Sequence, residues 1–235
     1  MIPAQEFQGP EKVIPGKTIC PGIAIGKAYI LHSRVKVSRS KVSKDSVNEE
    51  AERYDRAVRR VSENLHKHIR DMHQETFLDA QKMLEFHEMM LNDELFHESV
   101  RRRILKDLMN TEWAITEEAD YITSRLESSG DSYLQARIED IWDMVHNILL
   151  SLSLSSAEYS AEIKMIGNEH ILVSQNLFLS EVMKARRFQA GGLVTKSNAV
   201  ISHAAILLKS FNIPSLGNVK DLEMNIKNSD EMIVD

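Results

Sequence analysis

Apolar residues change their period twice along this chain. From Lys12 to Leu31 they sit between turn signals, Pro15-Gly16 and then Cys20-Pro21-Gly22-Ile23-Ala24-Ile25-Gly26-Lys27-Ala28-Tyr29-Ile30-Leu31. That pattern predicts a short strand, a Pro-Gly turn and a longer strand paired with the first. From Ser46 the spacing becomes three and four. Ser46 with Glu49 forms a capping box, and Val47, Ala51, Tyr54, Val58, Val61, Leu65, Ile69 and Met72 mark one long amphipathic helix. Further helices are predicted over Phe77 to Leu91, Asp93 to Met109, and Thr111 to Leu126 with Asn110 as its cap. After the break at Gly130-Asp131, a stripe of Leu134, Ile138, Ile141, Val145 and Ile148 predicts another. Amphipathic helices joined by short connections predict an antiparallel bundle.

Beyond the Ser-rich stretch Ser151 to Glu158 the pattern turns mixed. Strands are predicted at His170–Ser174, Leu193–Thr195 and Met232–Val234, and helices at Ser180–Phe188 and His203–Phe211. With the two strands near the start, this alternation predicts a small α/β domain split by the bundle, residues 1–44 with 157–235 around an insert at 45–156. Met1 to Glu11 is polar and irregular, as in a tail.

Composition narrows the class. The 235 residues are 43% hydrophobic and 27% charged, enough apolar material for a core and unlike a disordered chain. A net charge of -6 argues against a general nucleic-acid binder, and Arg101-Arg102-Arg103 with Lys106 reads as a solvated helix face. The single Cys20 leaves no internal disulfide framework and fits a reducing compartment. No apolar run approaches the roughly 18 residues of a membrane span, and the N-terminus lacks a signal-peptide core, so the expected location is the cytoplasm with no membrane partner.

The stretch with most chemistry is Ser202-His203-Ala204-Ala205-Ile206-Leu207-Leu208-Lys209, followed by Asn212-Ile213-Pro214-Ser215-Leu216-Gly217. It places a histidine at the first turn of an apolar helix. A neutral imidazole nitrogen can attack phosphorus, and a helix N-terminus offers free N–H groups and a positive dipole end to the phosphate gained. On these residues alone the first reading of His203 is a helix-start residue hydrogen-bonded to the backbone, with the phosphoryl acceptor as the alternative. Among methionines at helical spacing, His87 reads as a packing or hydrogen-bonding residue, and Met83, Met89 and Met90 read as core or as an adaptable docking surface. Arg137 with Asp140 and Asp143 reads as exposed ion pairing. Lys196 could offset phosphate charge or simply be solvated. The histidines form no metal set, since His66 and His68 diverge on a helix.

The Ser202–Gly217 stretch resembles the phosphohistidine motif of the phosphoenolpyruvate-utilising enzymes, Gly-Gly-x-Thr-Ser-His followed by a short apolar helix and Ile-Pro-Ala, with His203 at the phosphorylated position. Cys20-Pro21-Gly22-Ile23-Ala24 resembles the opening Ser-Pro-Gly-Ile-Ala of Enzyme I of the bacterial phosphotransferase system. Phe86-His87-Glu88-Met89-Met90-Leu91-Asn92-Asp93 and Tyr133-Leu134-Gln135-Ala136-Arg137-Ile138-Glu139-Asp140-Ile141-Trp142-Asp143 resemble two of that family's helical segments, His-x-x-x-Leu-x-Asp and Tyr-Leu-x-x-Arg-x-x-Asp-Ile-x-Asp. The resemblance implies a swivelling α/β phosphohistidine domain with an inserted all-α subdomain that docks the phosphocarrier protein HPr.

By that resemblance His203 is the catalytic acceptor. Ser202 and the amides of Ala204 and Ala205 contact phosphate, and His87, Met90, Phe96, Leu134 and Arg137 meet the partner. No cofactor or metal is expected in this chain. The family's phosphoenolpyruvate site and its Mg2+ lie in a following C-terminal barrel, so these residues should exchange phosphate with HPr without taking it from phosphoenolpyruvate unaided. Two departures stand out. Asn198-Ala199-Val200-Ile201 replaces the residues before the motif's Ser-His. Val182 stands where Enzyme I has a Thr that can hydrogen-bond the active histidine. They favour a rival reading, a degenerate relative that binds HPr for regulation and turns nothing over. A helical scaffold with an unrelated α/β cap is the third.

Overall fold

The structure, a computed structural model, describes residues 12–31, 37–72, 78–135, 137–153, 166–198, 200 and 202–235. The Met1–Glu11 tail, residues 154–158 of the Ser-rich stretch, His73, Ala199, Ile201 and the side chains of Met83 and Tyr133 lie outside them. In chain order the elements are β1 (Lys17–Cys20), β2 (Ala24–Ile30), α1 (Val47–Met72), α2 (Leu78–Leu91), α3 (Glu94–Leu105), α4 (Thr111–Ser128), α5 (Ser132–Gln135) and α6 (Arg137–Ser153). There follow β3 (His170–Ser174), α7 (Leu179–Arg187), β4 (Gly192–Thr195), α8 (His203–Ser210), β5 (Ser215–Gly217), α9 (Leu222–Asn225) and β6 (Glu231–Val234).

The six strands form one sheet in the order β1-β5-β4-β3-β2-β6. Strands β2 to β5 run parallel, and β1 and β6 are antiparallel edges. The sheet is thus built from both ends of the chain, with α1 to α6 inserted between β2 and β3. Alternation along β3 feeds both faces: Leu172 packs with α7 and α8 through Val182, Met183, Ala205 and Leu208, while Ile171 and Val173 pack with Val219, Leu222 and Ile226.

The expected pairing of the first two strands is corrected. Both hydrogen-bonding edges of β2 are taken, by β3 and β6, which leaves no edge for β1. Strand β1 pairs β5 instead. The link runs over Pro214: Gly22 has φ 143° and a Cβ there would meet the Pro214 ring at 3.0 Å, so this turn requires glycine.

In the bundle, α1 packs on α2, α3 and α6, and α4 on α3 and α6. Tyr54, Phe96, Val100, Ile104, Ile115, Val145 and Ile148 fill its core. Asn110 occupies the N-cap position of α4 as predicted, but its side chain makes no capping hydrogen bond to the helix. Its amide donates to the Ser38 carbonyl (2.9 Å) and Glu112 Oε2 (2.8 Å), while Glu50 Oε1 of α1 accepts the Thr111 N–H at 2.7 Å. At the start of α1 the Ser46 hydroxyl takes Ser43 Oγ as its partner, at 3.1 Å. Helices α7 and α8 both end in Schellman motifs. After α8, Asn212 sits at φ 52°, with Asn212 N–H on Lys209 O (3.1 Å) and Ile213 N–H on Leu208 O (3.0 Å), and the chain is turned into β5.

Candidate functional site

Helix α8 opens on Ser202, whose φ/ψ of -70° and 166° is an N-cap conformation and whose Oγ accepts the Ala205 N–H at 3.2 Å. Ala204, Ala205, Leu207 and Leu208 bury one face of the helix, so the first-turn His203 is held at its rim with 37% of its side chain exposed. The preceding loop is pinned by the Ser174 carbonyl accepting Lys196 N–H (3.1 Å) and the Ser197 carbonyl accepting Asn218 N–H (2.7 Å).

Opposite stands α6. An open cleft of about 370 Å³, the size of an ordinary ligand site, lies between the two, lined on the bundle side by Gln135, Glu139, Asp140 and Asp143 and on the sheet side by Phe178, Asn198, Val200, Ser202, His203 and Ala204. Asp140 Oδ2 lies 4.0 Å from His203 Nδ1 and 3.2 Å from Arg137 Nη1, and the Arg137 guanidinium lies over the Phe86 ring at 4.1 Å. His87 Nε2 is 3.8 Å from Asp140 Oδ1 and 3.5 Å from Asp143 Oδ2. Asp143 in turn accepts the Ser180 hydroxyl (2.6 Å) and N–H (3.0 Å) at the start of α7, and Asn147 Nδ2 (2.6 Å). Burial alone would push the Asp143 carboxyl up. The His87 ring and the two Ser180 donors outweigh burial and hold it below the ordinary carboxylate range. A carboxylate at a helix N-terminus is also favoured by the dipole. Burial and the neighbouring Asp140 charge push the Glu139 carboxyl up.

The expected site residues divide. His203, Ser202 and Ala204 line the cleft together, but Ala205 does not, and its N–H is committed to the cap. A phosphate contact from Ala205 is therefore withdrawn. Phe96, expected at a partner surface, is 5% exposed within the bundle core, where no partner reaches it. His87 is also withdrawn from that surface, because its ring is buried between Asp140 and Asp143. Leu134 is exposed, while Met90 and Arg137 are half-buried. Asp140 and Asp143 are buried, not the exposed ion pairs expected. Lys196 is exposed and does not line the cleft. Val182 is fully buried in the sheet core and has no hydroxyl to offer. What the sequence reading missed is the carboxylate set of α6. Its signal was the i, i+3 spacing of Arg137, Asp140 and Asp143 on the same helix as the apolar Ile141, Met144 and Val145.

Glu181 adds a buried carboxyl nearby. Burial pushes its carboxyl up to about 7. The Ser174 hydroxyl has one hydrogen and lies 2.8 Å from the Asn176 carbonyl and 2.7 Å from Glu181 Oε1, so both contacts are satisfied only if Glu181 is protonated and donates to Ser174. A carboxyl raised on folding stabilises in full below its ordinary value of 4.5, and that stability is lost as pH rises through about 7. Relative to the parent, Glu181→Gln should therefore flatten the fall in unfolding free energy between pH 5 and pH 8 by roughly 2–3 kcal/mol. Urea melts of both proteins at both pH values test this, and equal slopes would contradict a protonated Glu181.

Comparison with known proteins gives the family. Residues 15–137 match the family described as PEP-utilising enzyme, N-terminal, and residues 166–235 match PEP-utilising enzyme, mobile domain. Phosphoenolpyruvate-protein phosphotransferase of Bacillus subtilis (strain 168) is 29% identical over 217 residues, covering 91% of this chain and 37% of that protein. The protein of the same name from Geobacillus stearothermophilus is 27% identical over 228 residues, covering 96% of this chain and 38% of that protein. The chain therefore spans well under half of these relatives. A solution structure of Enzyme I (nEIt) superposes with a TM-score of 0.74 at 24% identity, covering 95% of this chain and 89% of that one. The N-terminal domain of Enzyme 1 - Nitrogen gives 0.66 at 17% identity, covering 95% and 90%. With a sheet built from both chain ends around a helical insert, the two family matches, over residues 15–137 and 166–235, show that this chain belongs to the PEP-utilising enzyme family, as its N-terminal and mobile parts.

Proposed function

We propose that this chain is a phosphoryl carrier: His203 accepts a phosphoryl group on a ring nitrogen and passes it to, or takes it from, a histidine of HPr. The observation that carries the reading is the placement of a part-exposed imidazole at the first turn of α8, beside an open cleft and under a helix bundle. Phosphoryl transfer between imidazoles asks little covalent work of other residues, so positioning and charge placement decide its rate. Ser202 and the Ala204 amide are the phosphate contacts of this reading. Leu134, Met90 and Arg137 are its docking candidates on the bundle side.

On the same reading, uptake from phosphoenolpyruvate and its Mg2+ belong to residues outside these 235. Among the described residues no group of three or more His, Cys, Asp or Glu is placed to hold a metal ion. No described helix is long and apolar enough to cross a membrane. A cytoplasmic phosphotransferase-system role goes with the proposal.

The test is to incubate the chain with phosphorylated HPr and locate acid-labile phosphate by mass spectrometry. Label confined to the peptide holding His203 is the expected result. A folded chain that binds HPr and never becomes labelled would instead be a regulatory binding module.

A further inference from the structure

Resting on the carrier reading, we propose that Asp140 is the positioning residue for His203, taking up the task of orienting the ring for which Val182 has no group. The carboxylate faces Nδ1 and not Nε2: Asp140 Oδ2 is 4.0 Å from His203 Nδ1, within ion-pair range and about 1 Å beyond a hydrogen bond. Rotation of a ring that is 37% exposed closes that gap. Asp140 itself is 6% exposed and cannot swing freely, because Arg137 Nη1 holds Oδ2 at 3.2 Å and His87 Nε2 faces Oδ1 at 3.8 Å. One turn along α6, Asp143 ties the same helix to Ser180 of α7. The carboxylate is thus fixed relative to the sheet as well as to the bundle. The nearby hydroxyl of Ser202 accepts the Ala205 N–H, and Val182 is a buried hydrocarbon.

A carboxylate at Nδ1 keeps the proton there, which leaves the lone pair on Nε2. In the transfer, that lone pair forms a bond to phosphorus while the bond from phosphorus to the donor imidazole breaks, its electron pair returning to the donor ring nitrogen. No proton moves. The His203 ring then carries a positive charge shared with Nδ1–H, and Asp140 stands against it. On the way out the retained Nδ1–H lets the ring leave phosphorus as a neutral imidazole, the P–N electron pair returning to Nε2 without a proton first being gained.

The experiment is a long-range proton–nitrogen correlation spectrum of the full chain labelled at histidine, recorded at pH 9 on the native protein and on Asp140→Asn. The native spectrum should show His203 protonated at Nδ1, and the variant should show a mixture of tautomers. Transfer from phosphorylated HPr should fall about 10- to 100-fold in kcat with KM little changed, the scale of one lost hydrogen bond to a charged group. A native His203 protonated at Nε2 overturns the proposal without any variant, which covers the case in which Asp140→Asn fails to fold. So does a variant that loses transfer while keeping the Nδ1–H tautomer. If the native chain takes no phosphate from HPr, the carrier reading falls, and the spectrum still decides the role of Asp140.

Discussion

In His203→Ala, label from phosphorylated HPr should fall below detection, a loss of roughly 10^4-fold or more, as when an enzyme loses its nucleophile. The size of the effect rests on the absence of a nearby stand-in among the described residues. His87 is turned between Asp140 and Asp143 and is almost wholly buried. His146 stacks on Phe178 with ring centroids 5.3 Å apart, in a neighbouring hollow lined by Glu139, Trp142, Asn176 and Ser197. His170 accepts the Gly167 N–H at Nδ1 (3.2 Å) and sets its edge against Tyr29. None of these three opens a helix, so none has free amides aimed at an acquired phosphate. The fold should not notice the change. Alanine suits a first-turn position, the Ser202–Ala205 cap does not involve the imidazole, and the buried face of α8 is untouched. The check is acid-labile label, with circular dichroism and thermal melting as controls. Label that persists on His87 or His146 would move the acceptor and sink the assignment of His203.

The helix that carries His203 could be read from the chain because its signals are local. The helix start at His203 and the apolar run behind it lie within a few residues of each other, and both hold in the structure. The long period from Val47 to Met72 was legible for the same reason, as were β3 and β6. What failed needed partners. Alternation shows that Ala24 to Ile30 is a strand but not which strands lie beside it, and the occupation of both its edges by β3 and β6 is decided by residues far along the chain. Strand β5 has three residues, too few to show a period, yet it sits between β1 and β4. Phe96 was misplaced although its own spacing marked it: with Val100 and Ile104 it forms one i, i+4, i+8 stripe, and that stripe is the buried one. Asp140 and Asp143 were read as surface charges because their burial arises only when α6 meets α2 and α7.

Asp143→Ala should lower the unfolding free energy by about 3–5 kcal/mol, the cost of removing one partner from a buried charge network. The carboxylate is 2% exposed and receives Ser180 Oγ, Ser180 N–H and Asn147 Nδ2, with His87 Nε2 at 3.5 Å. Alanine would strand those donors together and leave the start of α7 without its cap. The His87 ring, placed between two carboxylates, would lose one of them and keep Asp140. Urea unfolding at pH 7 measures the loss, and a value under about 1 kcal/mol would mean that α6 and α7 are not joined through this carboxylate in solution. A second variant separates stranded groups from lost attraction. Removing both sides at once, as His87→Leu with Asp143→Leu, deletes the imidazole that alanine at 143 alone would deprive of one carboxylate, so the double variant should be destabilised by less than the sum of its singles. The same clamp fixes α6 against the sheet one turn from Asp140. Asp143→Ala should therefore also slow phosphoryl acceptance by His203 at temperatures where the protein is still folded, through a cleft that no longer holds its carboxylate opposite the ring.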